Sequence, residues 1–186
     1  DKTCLVSGAG NVAIYTIEKL YDLGAKPITC SDSRGTIHDK NGIDLGLLKQ
    51  LKEVQRTSLE AYLHEHPDAH YISARDYPQG GNAVWRIQAD AAFPCATQNE
   101  LTESDAEILL ANGITCISEG ANMPSTKEAV DLFLVAKIAY GPGKAANAGG
   151  VATSQLEMAQ NSSMEQWPLE KVDQKLKQIM ANIHRQ

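Results

Sequence analysis

A doubly wound α/β fold, with a mostly parallel sheet and helices on both faces, is the class this sequence predicts, and three observations predict it. Short apolar runs alternate with helix-patterned segments along the whole chain, as β-α-β units require. A glycine turn, Gly8-Ala9-Gly10, separates the first run from the first helical segment. An acid, Asp32, closes the second run.

Residues 3–7 form a short apolar strand candidate that leads directly into the glycine turn. Residues 11–23 follow with Val12, Tyr15, Ile17, Leu20 and Leu23 near helical spacing, and Gly24 stands where a left-handed cap would stop the helix. Residues 27–30 read as the second strand, which completes a β-α-β unit with the right-handed crossover such units adopt. Residues 44–66 read as helix in two pieces, the second opened by a Thr57-x-x-Glu60 capping box. A strand over 69–74 precedes a polar excursion through Gly80 and Gly81, and the small apolar run 89–93 reads as a buried strand ended by Pro94.

Thr102 opens a helix that stops at Asn112 and Gly113, and residues 114–118 give the next strand. A second capping box, Ser125-x-x-Glu128, starts a helix running toward Lys137. Residues 138–140 form a last strand before Gly141-Pro142-Gly143. Helices over 151–160 and 169–184 close the chain, the latter amphipathic through Val172, Leu176, Ile179, Met180 and Ile183.

The bulk properties narrow the function. The 186 residues suit one domain and, at 42% apolar content, can bury a sizeable core. Net charge is −6 without a Lys/Arg cluster, which argues against nucleic acid or an acidic membrane as partner. No apolar run reaches the length of a membrane span and no signal-peptide pattern is present. Cys4, Cys30, Cys95 and Cys116 are scattered, with no metal-ligand spacing. The expectation is a soluble cytoplasmic protein without a structural metal. The five histidines lack partners at ligand spacing and read as solvated surface residues, and Trp85 and Trp167 read as packing residues.

In a dinucleotide site the first glycine permits the tight turn, the second admits the pyrophosphate and the third position is small for helix packing. Gly8, Gly10 and Ala13 occupy those places. The unpaired N–H groups of the helix's first turn favour an anion, and Asp32 falls about 20 residues on, where an acid meets the adenosine ribose. The alternative is a merely structural strand-to-helix turn. Three further stretches, "FPCATQNEL", "SEGANMPST" and "YGPGKAANAGGVATSQLEMAQN", each leave the carboxyl end of a predicted strand, the edge where open α/β sheets bind ligands. Turn-filling Asn and Gly explain one such loop; three on one edge favour a site. Asn147 and Ser154 flank a Gly-Gly pair that would let a flat ring approach the backbone.

With these stretches assembled, the chain resembles the nucleotide-binding domain of glutamate dehydrogenase, within the glutamate/leucine/phenylalanine/valine dehydrogenases. "SGAGNVA", "ITCSDSRG" and the three loops above match in order over nearly the full length. The resemblance implies a Rossmann-type domain over residues 1–186 and reversible, NAD(P)-dependent oxidative deamination of L-glutamate to 2-oxoglutarate and ammonia. It implies that Gly8, Gly10, Asn11 and Val12 hold the pyrophosphate. Ala96, Thr97 and Asn122 then line the ribose and nicotinamide, and Asn147 holds the carboxamide. Val151 shapes the substrate pocket and Ser154 meets the distal carboxylate of glutamate.

The family's catalytic lysines and aspartate belong to a preceding substrate domain, and its final segment returns to that domain. The chain is therefore expected to be an excised domain, itself without catalytic residues, that binds cofactor without turnover. Its parent is expected to be a homo-hexamer, as family members commonly are. A stand-alone NAD(P)-binding module is the other reading.

The choice of cofactor turns on "SDSRG". Asp32 accepting from a 2′-hydroxyl selects NAD, whereas Ser33 and Arg34 offer a hydroxyl and a guanidinium to a 2′-phosphate. The second arrangement prevails if Asp32 turns away to another partner, and relatives carrying S-D-S are often NADP-dependent. NADP is the expected cofactor, with NAD the alternative.

Overall fold

The computed structural model describes residues 2–78 and 81–186. Five parallel strands form the main sheet in the order β2-β1-β6-β7-β8: β1 (Thr3–Val6), β2 (Lys26–Pro27), β6 (Ala91–Phe93), β7 (Cys116–Ser118) and β8 (Ala139–Gly141). A separate antiparallel sheet joins β3 (Thr29–Asp32), β4 (Gly35–His38) and β5 (His70–Ser73). Alternation along β1 divides the core. Cys4 and Val6 face Ile14, Ile17 and Leu20 of helix α1 (Asn11–Asp22). Leu5 faces the opposite layer, built by Trp85, by Leu109 of α3 (Glu103–Ala111) and by Phe133 of α4 (Lys127–Ala136). Helices therefore cover both faces, and the topological switch lies between β1 and β6.

The expected second strand is in fact two. The Thr29 side chain enters the ladder beside β1: its hydroxyl accepts from Val6 N at 2.9 Å and donates to Val6 O at 3.1 Å. That substitution pries β3 away from β1 and sends it into a hairpin through Ser33 and Arg34. Strand β4, in a segment the sequence patterns leave unassigned, is the partner so created. Helix α1 is rolled relative to its expected face. Ala13, Ile14, Ile17 and Leu20 are buried, whereas Val12 is 48% and Tyr15 60% exposed.

Neither expected capping box forms; at each place a single N-cap lies one residue further on. Ser58, not Thr57, accepts from Glu60 N, and Thr126, not Ser125, accepts from Ala129 N. The element after Ser58 is a 3-10 helix (Leu59–His64), and before it α2 (Leu45–Lys49) continues as a π-helix (Gln50–Val54). Thr102 and Asp105 form a reciprocal box on α3.

After β8 a short helix not expected from the sequence, α5 (Gly143–Ala146), precedes the two expected ones: α6 (Gly149–Ser163) and α7 (Leu169–Arg185), which lays its half-buried apolar stripe against α6. All four cysteines are free thiols. His66 departs from the expected solvated state: it stacks on Tyr62 and its Nε2 lies 3.2 Å from Asp44 Oδ2. Among the described residues no cluster of His, Cys, Asp and Glu is arranged to hold a metal ion, and no helix is long and apolar enough to cross a membrane. The expected excursion through Gly80 falls partly outside the described residues.

Candidate functional site

Two clefts open along the carboxyl edge of the main sheet and meet at Cys95 and Ala96. The first, about 510 Å³, is lined by Gly8, Ala9 and Gly10, by Ser31, Asp32 and Ser33, and by Thr97 and Glu100. The second, about 770 Å³, holds Val12, Asn122, Asn147, Val151 and Ser154. Both lie within the roughly 300–1,000 Å³ of small-molecule sites.

The first cleft is built from the end of β1. Gly8 has φ +88°, and a Cβ there would lie 3.0 Å from Cys95 O, so only glycine fits. At Gly10 a Cβ would meet nothing within 4 Å. Its backbone opens onto the cleft at the start of α1, where no side chain caps the helix. An uncapped first turn beside bare glycine backbone is a fit for a phosphate anion. Ala13 is fully buried beneath this turn. Two serines that the sequence reading passed over hold the geometry. Ser31 Oγ accepts from Gly8 N at 2.9 Å, and Ser7 Oγ accepts from Cys95 N at 2.9 Å. Their signal was a polar residue inside or ending an apolar strand.

Asp32 is not free at this edge. Its Oδ1 accepts from Arg34 N at 2.8 Å and its Oδ2 from Lys52 Nζ at 2.9 Å. The two side chains of that pair are only 15% and 22% exposed. Burial pushes the Asp32 pKa up, but the Lys52 ammonium and the N–H groups of Arg34 and Gly35 outweigh it and hold the carboxyl below its ordinary range. Ser33 and Arg34 form the hairpin turn, and with Arg75 they line a neighbouring hollow that also contains Ser58 and Ser73. Neither Lys52 nor Arg75 was legible as a site residue, because the π-helix and β5 deliver them from distant sequence.

Ala96 and Thr97 sit between the clefts, and both donate their N–H to Glu100 Oε1, at 2.9 and 3.3 Å. In the second cleft Asn147 Nδ2 donates to Ala121 O at 3.0 Å and to Asn122 Oδ1 at 2.8 Å, tying the loop after β7 to the turn after β8. Glu119 holds that turn from below, its Oε2 accepting from Gly143 N at 2.7 Å. Val151 and Ser154 are exposed on the first turns of α6. The back-bonding hydroxyl there belongs to Thr153, which donates to Gly149 O at 2.9 Å and leaves Ser154 facing the cleft. Burial first of all pushes the Cys95 thiol up to about 12, so the group at the junction of the clefts is neutral. Of the thirteen sequence-derived positions, eleven line one or other of the two clefts; Arg34 lines the adjoining hollow, and Asn11, the first residue of α1, lines none of the three.

The model of the glutamate/leucine/phenylalanine/valine dehydrogenases matches residues 1–186. The chain belongs to this family. It is 60% identical over 184 residues to the NADP-specific glutamate dehydrogenase of Helicobacter pylori (strain ATCC 700392 / 26695), covering 99% of this chain and 41% of that protein. It is 52% identical over 186 residues to an NAD(P)-specific glutamate dehydrogenase of Xylanibacter ruminicola, covering 98% of this chain and 40% of that one. Among solved structures, a Plasmodium falciparum glutamate dehydrogenase superposes with a TM-score of 0.87 at 44% identity, over 98% of this chain and 38% of that one. The chain therefore spans about two fifths of the length of the curated relatives it matches, and the parallel sheet with its two clefts is the family's Rossmann-type unit.

Proposed function

We propose that residues 1–186 are the dinucleotide-binding domain of an NADP-linked glutamate dehydrogenase, which interconverts L-glutamate with 2-oxoglutarate and ammonia. The observation that carries this reading is the continuity of the two clefts through Cys95 and Ala96. One end offers an anion site and the other Asn147 and Ser154 beside open glycine backbone. The nicotinamide, when bound, supplies the hydride acceptor or donor. Gly8, Gly10, Asn11 and Val12 hold the pyrophosphate, and Ala96, Thr97 and Asn122 flank the ribose and the ring. Asn147 orients the carboxamide, Val151 limits the substrate pocket, and Ser154 donates to the distal carboxylate of glutamate. At the adenosine end Ser33 and Arg34 receive the 2′-phosphate. Lys52 supports that assignment, because it occupies the carboxylate that would otherwise accept from a 2′-hydroxyl. The names of the similar relatives, NADP-specific and NAD(P)-specific, point the same way.

Amine chemistry requires a proton-transfer group within hydrogen-bond reach of the reacting nitrogen. Among the described residues lining the second cleft there is no lysine, histidine or carboxylate. The reading assigns that group to another part of a longer, cytoplasmic and homo-hexameric enzyme. The test has two parts. The full-length protein should reduce NADP in a glutamate-dependent reaction, and this chain alone should bind NADP in a calorimetric titration without reducing it. Reduction by this chain alone would overturn the division of labour. Cofactor binding by the full-length protein without any amino-acid oxidation would favour a non-catalytic module instead.

A further inference from the structure

Glu100 is the carboxylate of the first cleft that lacks a cation. Asp32 has Lys52, whereas no ammonium or guanidinium among the described residues lies within ion-pair distance of Glu100. Its two oxygens differ. Oε1 accepts from Ser7 Oγ at 2.9 Å, from Ala96 N at 2.9 Å and from Thr97 N at 3.3 Å. Oε2 is buried and has no hydrogen-bond partner. The backbone is equally anchored, since Glu100 O accepts from the indole of the fully buried Trp85 at 3.2 Å. A relay from Cys95 N–H to Ser7 Oγ and from Ser7 O–H to Glu100 Oε1 joins the ends of β1 and β6 at the switch point.

We infer, resting on the dinucleotide reading above, that Glu100 is a positioning residue for the cofactor and takes up a proton on Oε2 when the dinucleotide enters. Three donors already occupy Oε1, whereas Oε2 is buried without a partner, which makes Oε2 the place for hydrogen. Proton affinity at this site is already raised in the free protein. Burial is the main cause, opposed by the hydrogen bonds of Ala96, Ser7 and Thr97 and assisted by Asp105.

The surrounding charges do not compensate an ionised Glu100. Asp105 of α3 is paired at 3.1 Å with Arg86, from the 3-10 turn Ala83–Arg86, which is thereby committed. The Cys95 thiol is neutral, as are Tyr77 and Asn82 on the facing wall. Asp32 at the rim is matched by Lys52. A pyrophosphate entering beside Gly8 and Gly10 expels water and adds negative charge near Glu100. Both effects favour the neutral carboxyl, and the proton comes from solvent.

The sign follows by linkage. A carboxyl whose pKa is higher in the complex than in the free protein favours binding at low pH. Affinity then falls as pH rises through the free-protein pKa, by up to about tenfold per pH unit, and levels off above the pKa of the complex.

The test is calorimetric titration of NADP into the full-length protein in buffers of different ionisation enthalpy, for wild type, Glu100→Gln and Glu100→Ala. Protons from the 2′-phosphate are common to all three, so the difference isolates Glu100. Wild type should take up more protons than Glu100→Gln. The amide keeps the acceptor for Ala96 and Thr97, so its affinity should lose the part of the pH slope due to Glu100 and match wild type at low pH. Glu100→Ala should bind at least tenfold more weakly at every pH. Equal proton counts in wild type and Glu100→Gln would overturn the inference while leaving the cofactor site intact. Failure of wild type to bind NADP at all would overturn both. If Glu100→Gln does not fold, infrared difference spectra of wild type carry the decision. NADP must produce the carbonyl band of a protonated carboxyl, and its absence refutes the proposal.

Discussion

Replacing Lys52 by methionine keeps the bulk of the side chain and removes only its charge, which makes it a sharp probe of cofactor choice. In the folded protein Lys52 Nζ lies 2.9 Å from Asp32 Oδ2, and both side chains are largely withdrawn from solvent. Without it the Asp32 carboxylate keeps only backbone donors, from Arg34 and Gly35, and its charge lines the part of the first cleft proposed for the adenosine. A 2′-phosphate carries a charge of about −2, so at roughly 6 Å the repulsion is about 1–3 kcal/mol for an effective dielectric of about 40–80. NADP should therefore bind about five- to hundred-fold more weakly. NAD has no phosphate there and gains a carboxylate able to accept from its 2′-hydroxyl, so its affinity should hold or improve. Parallel calorimetric titrations of both cofactors into wild type and Lys52→Met measure the ratio directly, with thermal unfolding as the control for folding. Equal weakening of both cofactors, or an unchanged NADP affinity, would refute the electrostatic reasoning.

Three further outcomes are expected. Gly8→Ala meets both a positive φ and the Cys95 carbonyl, so it should cost more than about 1 kcal/mol of stability; Gly10→Ala projects into open cleft, so Tm should stay near wild type while NADP affinity falls at least about tenfold, and identical behaviour of the two variants would contradict this geometry. Ser154→Ala in the full-length protein should raise the glutamate KM about ten- to hundred-fold, the worth of a hydrogen bond to a charged group, with NADP affinity unmoved; an unchanged KM would remove Ser154 from the substrate pocket. Asp90 accepts from Lys2 Nζ and from Thr3 N, both at 2.8 Å, and Lys2 is the main cause of a pKa lowered to about 2. A depressed carboxyl stabilises fully above its ordinary value of 3.8 and loses that contribution as pH falls toward about 2. The Tm deficit of Asp90→Asn at neutral pH should thus shrink over that interval, and a deficit independent of pH would exclude the charge as its source.

What was legible in the sequence was whatever depends on neighbours in the chain. Glycine at a tight turn, a helix stop at Gly24, and small residues after each parallel strand carry their geometry locally, and the clefts assemble from those loops as expected. The loops' order along the sheet edge follows from parallel connectivity, so Gly8 and Ser154 could be assigned to one site despite their separation. Errors arose where side chains from elsewhere decide. Thr29 reads as a strand residue by propensity, yet its hydroxyl displaces the backbone pairing it should continue. Asp32 carries the ribose signature, yet a lysine twenty residues on takes the carboxylate. Val12 and Tyr15 fit a helical stripe with Ile17 and Leu20, yet the sheet buries Ala13 and Ile14 with those two and leaves Val12 and Tyr15 outside. Nothing in the stretch "FPCATQNEL" singles out Glu100; only burial distinguishes it.

The diversion of the second strand at Thr29 also settles how the parallel sheet ends. Its terminal strand there is only two residues long and one of them is Pro27, which has no N–H to offer. The outward carbonyls of Pro27 and Ile28 are already used, accepting from Ile43 N and Asp39 N at 2.9 Å each. At the far side, β8 spans three residues and runs into Pro142. Short, proline-marked and covered margins are how sheets resist recruiting foreign strands. The hydroxyl that diverts the second strand therefore also guards the protein against edge-to-edge aggregation, so Thr29→Val should lower its solubility.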